Sequence, residues 1–211
     1  MLTIGVLTGL RPALLHRTLT AMRDKQGDVW ESATRVVVHN TGDAETAAVL
    51  DMFEWDERLT LHGELLSIAE ASQHLLRLAG EADNPFYMRL EDDWEATAAT
   101  WIDDACALLE RVGQVRLRHW EEPVLTKHRV TKKWINWQEL PTGHLIAESA
   151  HFTHNPSLMY TWDAVALGGY TDEIDAARRM HEAGWASAQL VPGVFRHLGD
   201  KRKGLSLKWS K

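Results

Sequence analysis

Three consecutive carboxylates, Glu91, Asp92 and Asp93, follow directly on the apolar run 86–90. Side by side at the tip of a buried strand they repel one another unless a cation or hydrogen-bond donors stand nearby. Side chains alternate along a strand, so Glu91 and Asp93 are expected on one side and Asp92 on the other. That arrangement suits a hard divalent ion bridging protein carboxylates and a diphosphate. The structural alternative is an acidic turn that merely complements the N-terminus of a following helix. An apolar strand leading into the triplet is a demanding context and favours the metal.

Four further groups of residues have chemistry to offer. His197 follows the apolar stretch 191–195 and precedes Gly199; a neutral imidazole there can complete the coordination of a transition metal such as Mn²⁺. Thr8-Gly9-Leu10-Arg11-Pro12 is a turn opening a helix. Its backbone N–H groups, the helix dipole and Arg11 can together face an anion. His39-Asn40-Thr41-Gly42-Asp43 offers Asn40 and Asp43 to a base or ribose, although a plain turn with an Asp cap uses the same residues. Asp172, Glu173 and Asp175 open a helical pattern, as acid–base groups or as caps.

These groups punctuate a regular alternation of strand and helix patterns. Strands are expected over 3–8, 35–39, 59–62, 86–90 and 114–120, with a later one over 191–195. Pro12 suits a first helical turn, since its missing N–H would be unpaired there anyway. Leu14, Leu15, Thr18, Leu19 and Met22 follow at helical spacing. Asp43 can cap a helix over 44–53. Residues 65–76 carry a helical stripe that stops at Gly80, 101–112 another closed by Gly113, and 173–183 a last one ending at Gly184. Residues 121–161 read as loops and short antiparallel strands. The βαβα order predicts an α/β domain: a mostly parallel sheet flanked by helices, with a smaller antiparallel part. Ligands of such sheets sit at the carboxyl ends of the strands, where the residues above fall.

The 211 residues fit one domain, with a regular half over 1–120 and a less regular half with a basic tail over 121–211. One cysteine, Cys106, excludes an internal disulfide framework. No segment approaches the ~20 apolar residues of a membrane span, and the N-terminus reads as a strand rather than a signal peptide. A cytoplasmic protein is therefore expected. The net charge of −7 does not advertise a nucleic-acid binder. However, residues 196–211 carry six cations against Asp200 alone, a net +5 that leaves −12 on the rest. Residues 127–133 form a second basic stretch. Of the ten tryptophans, Trp120, Trp134, Trp137 and Trp162 fall in the irregular half, where aromatic faces could stack on sugars or bases.

The set Thr8-Gly9-Leu10-Arg11-Pro12, Val37-Val38-His39-Asn40, Leu90-Glu91-Asp92-Asp93-Trp94 and His197-Leu198-Gly199 resembles the GT-A glycosyltransferases, particularly the family-2-like group, over residues 3–199. The resemblance would make 1–120 the nucleotide-sugar-binding half and 121–211 the acceptor-binding half and tail, and it implies a Mn²⁺ or Mg²⁺ ion held against a nucleotide diphosphate. Asp93 and His197 would be its ligands, with Asp92 or Glu91 on ribose or coordinating water. Thr8, Gly9, Arg11, Asn40 and Asp43 would hold the nucleotide, and Lys201 and Arg202 would fold over the diphosphate. Gly168-Gly169-Tyr170-Thr171-Asp172-Glu173, then Arg179 and Gly184, is similar to the family's Gly-Gly-aromatic and acidic-pair stretch. By that likeness Glu173 is the general base, with Asp172 as its neighbour and Asp175 as the alternative. The sequence has Asp-Glu where the family commonly has Glu-Asp.

The implied activity is transfer of a sugar from a nucleoside-diphosphate donor, a UDP-sugar by expectation, to a hydroxyl with inversion. The acceptor would be a glycan, a protein or DNA carrying a hydroxymethylated base. A nucleotidyltransferase making sugar nucleotides, or a non-catalytic nucleotide-sugar-binding module, are the competing readings.

Overall fold

The computed structural model describes residues 1–63, 65–99, 102–117, 136–139, 145–149, 152–154, 156–191 and 193–199. In chain order the elements are β1 (Leu2–Thr8), α1 (Pro12–Lys25), α2 (Gly27–Ser32), β2 (Thr34–His39), α3 (Ala44–Leu50), β3 (Glu57–Thr60), α4 (Ile68–Glu81), β4 (Phe86–Glu91), β5 (Trp94–Ala96) and α5 (Ile102–Leu108). There follow β6 (Gln114–Arg116), β7 (Asn136–Glu139), β8 (Leu145–Ser149), β9 (Ser157–Tyr160), α6 (Thr161–Ala166), α7 (Glu173–Glu182), β10 (Ser187–Val191) and β11 (Phe195–His197).

Nine strands form one sheet in the order β3-β2-β1-β4-β9-β6-β10-β8-β7. The first four run parallel. β9 lies antiparallel between β4 and β6, and β10 returns to the parallel sense beside β6. β8 and β7 close that edge as an antiparallel pair. A separate two-stranded ladder joins β11 to β5. The mostly parallel sheet with a smaller antiparallel part matches the architecture expected from sequence, and strands from both halves of the chain share the large sheet.

The period of two along the central strands builds two cores. Ile4, Val6, Val37, Met88 and Leu90 face one side, where Leu15, Leu19 and Met22 of α1 and Leu108 of α5 cover them. Leu7, Val36, Val38 and Tyr87 face the other, against Leu75 and Leu76 of α4 and Ala176 and Met180 of α7. Gly5 belongs to this second face because a Cβ there would lie 2.6 Å from the Tyr87 ring. Helix starts follow local chemistry. Ser67 and Glu70 form a capping box on α4, while Asp43 and Asp172 accept the N–H groups of Thr46 and Asp175 at the starts of α3 and α7.

Several boundaries differ from expectation; α3 stops at Leu50 and β6 at Arg116, and β5 has no counterpart in the expected strands. β3 lies two residues earlier, because it pairs with β2 from Val36↔Glu57 onward and its edge position needs no apolar run. The strand expected over 191–195 is two strands. The chain leaves the large sheet at Val191 and joins the small ladder at Phe195. α6 begins at the end of the stretch read as loops and short antiparallel strands, and β9 is one of those short antiparallel strands, with a central place in the sheet.

Candidate functional site

The tips of β1 and β4 meet at an open cleft of about 210 Å³ lined by Thr8, Arg11, Glu91, Asp92, Asp93 and His197, with Leu7 and Ile68. The strand ends at Glu91, and Asp92 and Asp93 lie in the turn before β5. The alternation expected for the triplet therefore stops one residue early. Instead of opposing each other, Asp92 and Asp93 both reach Arg11.

Each acid has its own partners. Asp92, fully buried, accepts from the Thr8 hydroxyl at 3.0 Å and the Gly9 N–H at 3.2 Å through Oδ2, and its Oδ1 pairs with Arg11. Thr18 of α1 donates to its carbonyl at 3.0 Å. Thr8 and Gly9, expected to face an anion, thus hold Asp92. Asp93 Oδ2 accepts from Arg11 at 2.5 Å and lies 3.1 Å from His197 Nε2. Glu91 pairs at 3.2 Å with Arg89, two residues earlier on the same strand face. Arg89 is itself buried and also donates to Ser72 at 2.7 Å and to the His154 carbonyl at 3.2 Å.

These surroundings separate the three carboxyls. Burial pushes Asp92 up to about 7, with Arg11 opposing the rise and Asp93 adding to it. Burial likewise raises Glu91, against the pull of Arg89. For Asp93 burial is outweighed by the His197 hydrogen bond and by Arg11, so its carboxyl sits below the ordinary value. Asp93 is the acid best kept ionised.

His197 reaches this corner through the small ladder, in which it pairs with Trp94. The Leu198 N–H donates to the Asp93 carbonyl at 2.8 Å, and the Trp94 and His197 rings lie 4.8 Å apart. Asp93 and His197, 104 residues apart, are therefore brought together as expected.

A divalent ion fits these two side chains. Cis ligands on one ion, each about 2.1 Å from it, stand roughly 3 Å apart, the separation of Asp93 Oδ2 and His197 Nε2. Gly199 keeps space in front of both: a Cβ there would lie 3.1 Å from Nε2 and 3.3 Å from Oδ2. One carboxylate and one imidazole suit Mn²⁺ better than Mg²⁺. Among the described residues no group of three or more His, Cys, Asp or Glu converges on one point.

The second acidic cluster divides its roles. Asp172 caps α7, accepting from the Asp175 N–H at 2.8 Å. Asp175 is engaged by Arg178 at 2.5 Å and by Arg179 at 3.1 Å. Arg179 also donates to the carbonyls of Gly168 and Gly169 at 3.1 and 2.9 Å, fixing the turn in which Gly169 has φ +78°. Glu173 is different. Its Oε1 accepts from the His154 N–H at 2.6 Å and the Thr153 hydroxyl at 3.2 Å, and its charge is felt at Glu91.

Asn40 is buried, and its amide is engaged on both sides by the Leu66 backbone, at 2.9 and 3.3 Å. Asp43 takes the Thr41 hydroxyl at 2.6 Å, the Thr46 N–H at 2.8 Å and His39 at 3.1 Å. These contacts hold the loop after β2, which flanks the cleft. Lys201 and Arg202, the basic stretch 127–133, Trp120 and Trp134 lie outside the described residues, as does the Trp137 side chain. Trp162 is exposed on α6.

Sequence reasoning missed the Arg89–His154–Tyr170 network. The His154 ring shares a hydrogen bond with the Tyr170 hydroxyl at 3.0 Å. Arg89 left a signal, a cation inside an apolar strand and in phase with Glu91. His154 left none, because it stands in an irregular stretch.

No protein-family model matches the sequence, and no curated protein does. Among solved structures the chain is similar to the mannosyltransferase PcManGT from Pyrobaculum calidifontis in complex with GDP-Man and Mn²⁺, with a TM-score of 0.62 at 17% identity, covering 96% of this chain and 58% of that one. It is similar to S. aureus TarS 1–349, with a TM-score of 0.62 at 12% identity, covering 94% and 60%. A protein assigned as a nucleotide-diphospho-sugar transferase from Desulfovibrio desulfuricans G20 aligns with a TM-score of 0.55 at 10% identity, covering 100% and 91%. The chain thus spans about three fifths of the length of the first two. At these identities the likeness establishes a shared fold, the GT-A fold. Among the described residues no helix is long and apolar enough to cross a membrane.

Proposed function

We propose that this chain is a Mn²⁺-dependent glycosyltransferase that moves a sugar from a nucleoside-diphosphate donor to an acceptor hydroxyl with inversion. The observation that carries the reading is the Asp93–His197 pair at the tips of parallel strands, open in front at Gly199 and flanked by Arg11. A UDP-sugar is the expected donor, and the GDP-Man complex of a structure sharing the fold adds GDP-sugars to the first trial.

The α1 N-terminus and Arg11 bind the diphosphate, and Asn40 and Asp43 shape the nucleotide side of the cleft. When bound, the ion neutralises charge that builds on the leaving diphosphate. Glu173 is the general base. With Oε1 fixed by His154 and Thr153, the carboxylate takes the acceptor proton as the new C–O bond forms and the bond to phosphate breaks. One base and no covalent intermediate give inversion. The acceptor is a hydroxyl of a glycan, a protein or a hydroxymethylated DNA base. Binding that weakens steeply with salt would single out DNA.

A thermal-shift screen of UDP-, GDP- and TDP-sugars with and without Mn²⁺ tests the reading. The correct donor should stabilise the fold by mass action only when Mn²⁺ is present, and Asp93→Asn should lose that shift while remaining folded. A shift indifferent to Mn²⁺ and to Asp93 would overturn metal-dependent donor binding. The anomeric configuration of the product, read by NMR, tests the base; retention would remove Glu173 from that role.

A further inference from the structure

The atom that would ligate the ion is already held by a cation. Arg11 donates at 2.5 Å to Asp93 Oδ2, which also faces His197, and its other terminal nitrogen pairs with Asp92. A divalent ion entering beside a resident guanidinium would meet a like charge a few ångströms away in a partly buried corner, where screening is weak. Glu91 offers no relief, since it is paired with Arg89.

We infer that Arg11 is an exchangeable counter-ion of this corner: it neutralises Asp92 and Asp93 in the free protein, moves to the diphosphate when donor enters, and so makes metal and nucleotide bind synergistically. The inference rests on the function proposed above.

The local structure permits the exchange. Arg11 is the N-cap of α1 and lies outside the helix, with Leu10 before it at φ +53° and Pro12 after it. The backbone direction is fixed while the side chain, 17% exposed at the cleft, can rotate without breaking helical hydrogen bonds. The first turn of this 14-residue helix carries no acidic side chain of its own, so a diphosphate arriving there would meet the positive end of the helix without a repelling acid inside the helix. The acids are also provided for. Asp92 keeps the Thr8 hydroxyl and Gly9 N–H when Arg11 leaves, and Asp93 keeps His197 and gains the ion.

The probe is Mn²⁺ alone, with no nucleotide. Its binding is followed by the electron-spin resonance of the free ion and by quenching of Trp94, whose ring lies tilted 4.8 Å from that of His197. Arg11→Gln should bind Mn²⁺ on the order of tenfold more tightly than the unaltered chain, a typical coupling between linked sites, while losing affinity for nucleoside diphosphate. Asp93→Asn should abolish the signal in either background. Should Arg11→Gln fail to fold, Arg11→Lys carries the test with the same sign and a smaller gain, since one ammonium does not span both carboxylates. Equal or weaker Mn²⁺ binding by the variant overturns the exchange and leaves the metal site standing. Binding by neither protein, with or without nucleotide, overturns the metal site itself and the exchange with it.

Discussion

Replacing His154 with Gln should remove about 2 kcal/mol of acid sensitivity from the fold. His154 is buried, its ring bonded to Tyr170 and its N–H to Glu173. Burial, with Arg89 adding to it, drives the imidazole down to about 2. Glu173 lies 3.8 Å from Nδ1, but its side chain is 43% exposed and too well solvated to offset this. The unfolded chain accepts a proton on this residue below about pH 6.5, and the folded chain refuses it. Stability contributed by neutral His154 is therefore full above that pH and falls as pH drops, at about 1.4 kcal/mol per unit. Between pH 7.5 and 5.0 the loss comes to about 2 kcal/mol. Any folded value below about 4 gives the same result, because the folded state is then still neutral at pH 5.0. Urea denaturation of the unaltered chain and of His154→Gln at both pH values isolates the term, since most other titrating groups cancel in the difference. A difference under about 0.5 kcal/mol, or a His154 ring resonance titrating near its ordinary value, would refute the reasoning and loosen the proposed support of Glu173.

Glu173→Gln should lower kcat by about 10² to 10⁴ with KM little changed, measured with whichever donor turns over; the amide oxygen still accepts from His154, so the melting temperature should hold. Gly199→Ala places a Cβ 2.9 Å from His197 Cε1, and by displacing that ring should weaken Mn²⁺ binding about tenfold, read by titration of the free ion. Asp83 follows α4 at φ +52°, and Asp83→Gly should raise stability by about 0.5 kcal/mol in denaturant unfolding. Gly5→Ala should cost about 1–3 kcal/mol by the same assay, because the added methyl meets the Tyr87 ring.

The parallel half of the fold was legible because its signals are local. Val36, Val37 and Val38, the apolar run ahead of Glu91, and caps such as Asp43 each specify an element without reference to the rest of the chain. β9 was legible only as one of the short antiparallel strands of 121–161, not as a central strand. Ser157–Tyr160 is four residues long, and only its place between β4 and β6 makes it central. The site divides in the same way. The acidic triplet and His197 stood out by residue type, yet nothing local showed that Arg11 would draw Asp92 and Asp93 together. The exit of β4 into a turn at Asp92 decides that geometry, and alternation along a strand cannot foresee where the strand stops. Arg89 was visible as an anomaly, a buried cation, but its partners Ser72 and the His154 carbonyl come from distant segments.

Anomalous scattering from a crystal grown with Mn²⁺ and a nucleoside diphosphate tests the central claim most directly. The account predicts a Mn²⁺ peak about 2.1 Å from both Asp93 Oδ2 and His197 Nε2, with the diphosphate completing its shell and Arg11 turned onto phosphate oxygens. Nucleotide bound with no ion between those two side chains, or an ion held at other residues, would contradict it.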